Sequence, residues 1–377
     1  MRKIFLLSVL LVVVAGCASN VTLRRIVHYP AVGMARYGLE GLSTELRAGW
    51  TTQGLAHARS EALAKSRPLL VYLYTSWCGP CKRLSQDTFP DASIVRLLSE
   101  RLVAVKLDGE SPEGRELVRQ YRINSYPTFL FFRADGAEID RAFGYQTVPQ
   151  LVRTIHNMLS DRNTVAHLRR QLRVNPDSVV LNHRLGFQLA LRGESEEATV
   201  FLRRAVELDP DNANPGQLGS QSLYVLGRYV FNLRQRDYPG SISVYEELLQ
   251  RFPRSVAARN GGLDLARLHV QNRKPEQALV TLERLVGGDR SDAIRHVEAA
   301  RLVLQNRLSL QKGLRWARRG TQLRQDGYPW IVVAAIYSRL GQADRELAAL
   351  EEAVRRSPQN AAYQRQLARA RRQSHSD

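Results

Sequence analysis

Cysteine is scarce, with three residues in a chain of 377. That count excludes a scaffold stapled by several disulfides. Lysine is scarce as well, at six of the 55 basic side chains, so arginine carries a formal net charge of +19. The eight histidines show no HxxxH or HExxH pair, and we read them as surface or core residues rather than metal ligands. The apolar run Ile4 to Val14 is too short to remain as a bilayer-spanning helix. Past about residue 160 no strand pattern occurs, which excludes a second sheet domain.

Two of the three cysteines lie in Trp77-Cys78-Gly79-Pro80-Cys81-Lys82. The apolar run Leu69 to Tyr74 before them predicts a buried strand, and Lys82 to Thr88 after them predicts a helix. Cys78 then stands at a helix N-terminus. Exposed N–H groups and the helix dipole there favour a thiolate and lower its pKa. Cys81, one turn on and more covered, is placed to resolve a mixed disulfide that Cys78 has formed. Three readings remain at this point. One is a redox pair. The second is a structural disulfide, although closing so short a loop stabilises little. The third is half of a zinc site, although no second pair of ligands is evident.

The motif Trp-Cys-Gly-Pro-Cys-Lys resembles the active site of the thioredoxin family. About fifty residues later come Ser125-Tyr126-Pro127-Thr128 and the apolar strand Phe129 to Phe132. The resemblance implies that Pro127 is cis and faces the cysteines, and that Tyr126 and Pro127 present a partner's backbone. It also implies a Cys78–Cys81 redox disulfide, with Trp77, Gly79 and Pro80 shaping the loop and no cofactor. Asp135-Gly136 predicts a hairpin turn into Ala137 to Phe143. Gly144 ends that strand and Thr147 caps a closing helix. The likeness covers roughly residues 50 to 160. Thr88-Phe89-Pro90-Asp91, Val95 to Leu98 and Val103 to Asp108 resemble periplasmic thioredoxin-like domains of the DsbD C-terminal type. One departure stands out. The family's buried Asp before the motif is replaced by Tyr72, and a phenol of pKa near 10 is no base at neutral pH. Water, with Lys82 or Glu61 nearby, is then the expected proton route.

The N-terminus reads as a signal. Arg2 and Lys3 precede the apolar run, and Val14-Ala15-Gly16-Cys17 resembles a bacterial lipobox. That likeness implies cleavage after residue 16 and lipid on Cys17, whose several acyl chains would anchor stably. An ordinary signal peptide with a free Cys17 is the alternative. Ala18, rather than Asp, points by analogy to the outer membrane. Residues 17–49 read as a tether. Trp50 opens the globular part, and Thr51 or Thr52 caps its first helix. Export also argues against nucleic acid as the basic chain's partner. Anionic headgroups or acidic partners fit the charge better, with a general arginine bias an equal alternative.

From residue 161 to the end, Leu, Ala and Arg recur at helical spacing. Pro176 and Pro210 lie 34 residues apart, enclosing Leu185-Gly186, Leu189, Gly193, Ala198, Leu202 and Ala205. This unit resembles a tetratricopeptide (TPR) repeat. Weaker copies centre on Leu226-Gly227, on Leu265-Ala266 and on residues 292–325, and a clear one runs from Trp330 to Pro358. Ala361 to Arg372 reads as a polar capping helix, and helix 163–175 as a first half-unit. The concave face of such repeats would bind extended peptides or partner helices, with a passive spacer as the alternative. Tyr224, Asn232, His269 and Arg301 hold plausible groove positions on first helices, and each fits a solvated or packed place equally.

The expectation is therefore an α/β thioredoxin fold followed by an all-α TPR solenoid. As a function it predicts a membrane-anchored, extracytoplasmic thiol–disulfide oxidoreductase, reductase favoured. Its partners would be protein thiols or disulfides and a redox protein, recruited by the repeats. A TPR lipoprotein scaffold with a non-essential thioredoxin-like domain is the alternative.

Overall fold

A computed structural model describes residues 49–374. The signal segment, Cys17 and the tether up to residue 48 lie outside the described residues.

β1 (Leu69–Tyr74) is the centre of the first domain. It is buried from Leu69 to Leu73, which is why it reads as an unbroken apolar run rather than an alternating one. β2 (Val103–Asp108) pairs with it in parallel, Leu69 opposite Val103. β3 (Thr128–Phe132) pairs with it antiparallel, Leu69 opposite Phe132. β4 (Glu138–Phe143) adds antiparallel to β3 across the Asp135-Gly136 hairpin. The sheet order is β2-β1-β3-β4. Strand alternation then divides the core. Leu69, Val71 and Leu73 pack with Leu130 and Phe132 against α1 (Gly54–Lys65) and α4 (Pro112–Gln120). Leu70 and Tyr72 pack with Phe129, Phe131 and the buried Trp50 against α3 (Ala92–Arg101) and α5 (Val148–Leu159). α2 (Gly79–Arg83) leaves the end of β1 on this second face and widens over Leu84–Thr88. There the Phe89 N–H reaches Leu84 O at 2.9 Å, an i→i+5 turn of the kind found beside functional sites.

The start of α1 differs from expectation. Neither Thr51 nor Thr52 caps it: Gln53 holds the N-cap position without a side-chain bond. Thr51 is instead drawn to the sheet edge beside Val105, its N–H on Ala104 O at 2.7 Å. The free helix end is served from α4, where Glu113 Oε1 accepts the Leu55 N–H at 3.2 Å. A carboxylate at that end also complements the helix dipole.

The rest of the described chain is helical. α6 (Val165–Val174) leads into antiparallel pairs: α7 (Val179–Arg192) with α8 (Ser195–Leu208), then α9 (Leu218–Val225) with α10 (Tyr238–Arg251). α11 (Val256–Gln271) pairs with α12 (Pro275–Gly288), α13 (Ala293–Gln305) with α14 (Leu310–Leu323), and α15 (Tyr328–Arg339) with α16 (Ala343–Arg356). α17 (Ala361–Ser374) follows. The pairs bury one continuous core from Leu168 to Leu367, as stacked repeats must. The first crossing shows why glycine sits there: a Cβ on Gly186 would lie 2.6 Å from Leu202 Cγ. The extra residues of the second pair are absorbed by α9, which continues over Leu226–Gln235 as a widened helix.

The two regions are joined by polar bonds. Asp140 on β4 is fully buried and accepts the Val165 N–H at the start of α6 at 2.6 Å. It also accepts from Arg192 Nη1 at the end of α7 at 2.7 Å. Arg234 donates to Arg122 O at 2.9 Å and to Ala190 O at 3.2 Å, and also to Leu191 O.

Candidate active site

β1 ends in a short loop that turns Cys78 into the N-cap of α2. The Cys78 N–H bonds Thr75 O at 3.2 Å. Its Sγ accepts the Cys81 N–H at 3.2 Å, and Pro80, in the first turn, has no N–H to lose. The two cysteines form a disulfide, with Cα atoms 5.2 Å apart. They are almost equally covered, at 4% and 3% exposed, so Cys81 is not the distinctly deeper one. Gly79 stands at the lip with open space where a side chain would be.

Around the pair, Trp77 is 65% exposed. Its indole N–H donates to Glu110 Oε1 at 2.9 Å, and its ring meets Tyr126 edge-on at 6.0 Å. The Tyr126–Pro127 peptide is cis. Pro127 O accepts the Gly144 N–H at 2.8 Å, and Thr128 Oγ1 donates to Ser125 O at 2.8 Å. Burial, then the nearby Glu110 and Asp108 carboxylates, push the Tyr126 phenol up, so it stays protonated.

Beneath the site, Tyr72 is 1% exposed, and its hydroxyl has no hydrogen-bond partner among the described residues. Burial, then Tyr74, push its ionisation far above the ordinary phenol range. It therefore supplies no base. Lys106 lies opposite Tyr72 in the β1–β2 register, its ammonium 5.1 Å from the Trp50 ring and 5.7 Å from that of Phe89. Of the two other candidates, Lys82 is exposed on α2. Glu61 is not near the cysteines in the packing: it lies on α1, across the sheet, and pairs with Lys65 at 2.6 Å.

The matches with known proteins follow this geometry. Residues 55–159 match the family described as thioredoxin-like domain. This segment is a thioredoxin-like domain. Over 100 residues the chain is 31% identical to the thiol:disulfide interchange protein DsbD of Yersinia enterocolitica, covering 26% of this chain and 17% of that protein. Over 94 residues it is 35% identical to chloroplastic thioredoxin Y1 of Arabidopsis thaliana, covering 25% of this chain and 51% of that one. The chain thus spans less than a fifth of DsbD and about half of thioredoxin Y1. A thermophilic TPR protein of Thermus thermophilus superposes with a TM-score of 0.33 at 21% identity, covering 51% of this chain and 98% of that one. The thioredoxin-like domain here is followed by an all-helical region resembling TPR proteins.

Among the described residues no group of His, Cys, Asp and Glu is arranged to hold a metal ion, and no helix is long and apolar enough to cross a membrane. In the helical region, Tyr224 and Arg301 lie against the carboxylates of Asp264 and Glu298, and Asn232 is half-buried. Of the alternatives open for His269, the structure has the packed one: the ring is buried, and burial pushes its pKa down. Sequence reading missed Glu110, Asp140 and Arg192. Their partners lie 33, 25 and 52 residues away, and no local pattern announces such pairs.

Proposed function

We propose that this chain is an extracytoplasmic thiol–disulfide oxidoreductase, anchored by lipid at Cys17, acting on protein partners that its helical repeats recruit. The observation that carries the reading is the Cys78–Cys81 disulfide at the N-terminus of α2. The exposed Trp77 and the cis Tyr126–Pro127 step then form the walls for a partner backbone.

In the reducing direction, the Cys78 thiolate attacks one sulfur of a partner disulfide. A new S–S bond forms and the partner's other sulfur leaves as a thiolate. Cys81 then loses its proton to water and attacks Cys78 Sγ. The mixed disulfide breaks, the partner departs as a dithiol reduced by two electrons, and Cys78–Cys81 is left oxidised. A dithiol redox protein returns the two electrons. Glycine and proline between the cysteines favour the reductase direction. Ala18 after the lipidated residue favours the outer membrane, with the protein facing the periplasm.

The test is a trap. Cys78→Ala is expected to abolish turnover, and Cys81→Ala to accumulate mixed disulfides with native partners. A Cys81→Ala protein that captures nothing, together with a Cys78→Ser/Cys81→Ser protein that still complements a deletion strain, would favour the scaffold reading. The extent of the helical region, α6 to α17, is what keeps that second reading in play.

A further inference from the structure

The first helices of successive pairs carry a series of arginines whose counter-charges are set back behind them. Arg228 on α9 and Arg267 on α11 both close on Asp264, at 2.8 and 2.6 Å. Arg301 on α13 closes on Glu298 at 2.6 Å. The carboxylates are the recessed members, 9% and 18% exposed, while the guanidinium side chains are 38–45% exposed. Glu298 is further occupied by the Tyr328 hydroxyl at 2.7 Å. The outermost charge along this row is therefore positive.

The row continues by the repeat register. Arg267, Arg301, Ala335 and Arg369 are each 34 residues apart, so they hold equivalent places on α11, α13, α15 and α17. Ala335 and Arg369 line one open cleft of about 620 Å³ with Leu304, Ile331 and Arg339. Leu304 lies one turn from Arg301, which joins the cleft to the row. Glu346 is the one acidic lining residue. Neither Arg339 nor Arg369 has an ion pair among the described residues.

We infer that this face docks an acidic, extended segment of a protein partner, its carboxylates meeting the arginines and its apolar side chains resting on Leu304, Ile331 and Ala335. Guanidinium forks match carboxylate geometry, and their weak hydration suits partly desolvated pairing. Arginines already paired to recessed acids are held in place, so less side-chain entropy is lost on docking. The inference rests on the reading that the repeats recruit a protein, and it names that protein's chemistry.

The test uses the full chain and a fluorescein-labelled deca-glutamate peptide, followed by anisotropy at two salt concentrations. The wild type is expected to bind, and more weakly in higher salt. Arg339→Glu/Arg369→Glu breaks no ion pair, and is expected to weaken binding about ten-fold. Arg315→Glu/Arg319→Glu, the same charge change on the exposed side of α14, is expected to leave binding within about two-fold. No binding by the wild type, or equal losses in both variants, overturns the inference. So does a loss confined to anionic phosphatidylglycerol vesicles, which would make the row a lipid surface. The Cys81→Ala trap separates the two levels. If it captures the same partners with and without the Arg339/Arg369 change, only the acidic-segment assignment falls. If it captures none in either background, the thiol-exchange reading falls, and the peptide anisotropy still decides the docking face by itself.

Discussion

Arg192 reaches across the junction between the two regions and donates to Asp140 at 2.7 Å. Asp140 is fully buried, and it also accepts the N–H groups of Val165 and Arg141 at 2.6 and 2.8 Å. Burial pushes its carboxyl up, while the two N–H bonds and the guanidinium push the other way. The same arginine holds Glu138 at 3.1 Å and Glu194 at 2.8 Å. Removing it leaves a buried acid without its cation. Arg192→Met is therefore expected to cost about 3–5 kcal/mol. In a Trp316→Phe/Trp330→Phe background, which leaves Trp50 and Trp77 of the sheet domain as the fluorophores, it is also expected to separate fluorescence-monitored unfolding from helix loss followed by circular dichroism. Coincident transitions at the wild-type midpoint would show that the junction does not depend on this pair.

The Trp77–Glu110 bond yields a prediction about partner binding. Glu110→Ala removes the acceptor that holds the indole over the groove. A hydrogen bond of this exposed kind contributes about 1 kcal/mol. We expect a three- to five-fold rise in KM for a protein disulfide, on the order of that energy. The Cys78–Cys81 potential and the rate with a small disulfide should stay unchanged. A change in potential would instead assign Glu110 to the chemistry.

The strands were readable because β1 and β3 are buried on both faces and therefore carry apolar runs, Leu69 to Leu73 and Phe129 to Phe132. The place of Cys78 was readable because an apolar strand, a Gly-Pro pair and a helical pattern follow one another there. The repeat period was readable from prolines 34 residues apart. The junction was not: Asp140 sits in a strand that reads as amphipathic, so a polar residue there implies solvent rather than a buried ion pair. Thr51 misled for a related reason. A threonine before a helix suggests a cap, but here strand pairing at the β2 edge took it and Glu113 served the helix end. The spacing on α11 did not distinguish a groove position from a packed one for His269, because the neighbouring helices decide which it is.

Buried histidines contribute to the pH dependence of the helical region. His183 faces Ser222 at 2.9 Å, and burial, then Arg184, push its pKa down to about 4. Folding thus favours the neutral ring. The unfolded chain binds the extra proton below about pH 6.5, so stability is full above that and falls as pH drops towards 4, by up to about 3 kcal/mol. His269 and His296 are shifted down by burial too and act in the same sense. Urea midpoints at pH 7.5 and 5.0 should therefore differ, and His183→Gln should narrow the gap. An unchanged gap would show that His183 does not contribute.

Gly114 gives a packing test close to the site. A Cβ there would lie 1.9 Å from Asp108 O, and the backbone cannot yield without moving the loop that carries Glu110. Gly114→Ala is expected to cost about 1–3 kcal/mol and to alter Trp77 fluorescence, whereas Gly79→Ala, which meets open space, should do neither. Equal melting temperatures for the two variants would contradict this.

The most direct measurement is the reduction potential of the Cys78–Cys81 couple, from equilibration of the full chain in dithiothreitol and glutathione buffers with thiol counting. The reductase account predicts a reversible two-electron couple near about −270 mV. A value near about −120 mV would make the protein an oxidant, and a pair that cannot be cycled at all would contradict the account outright.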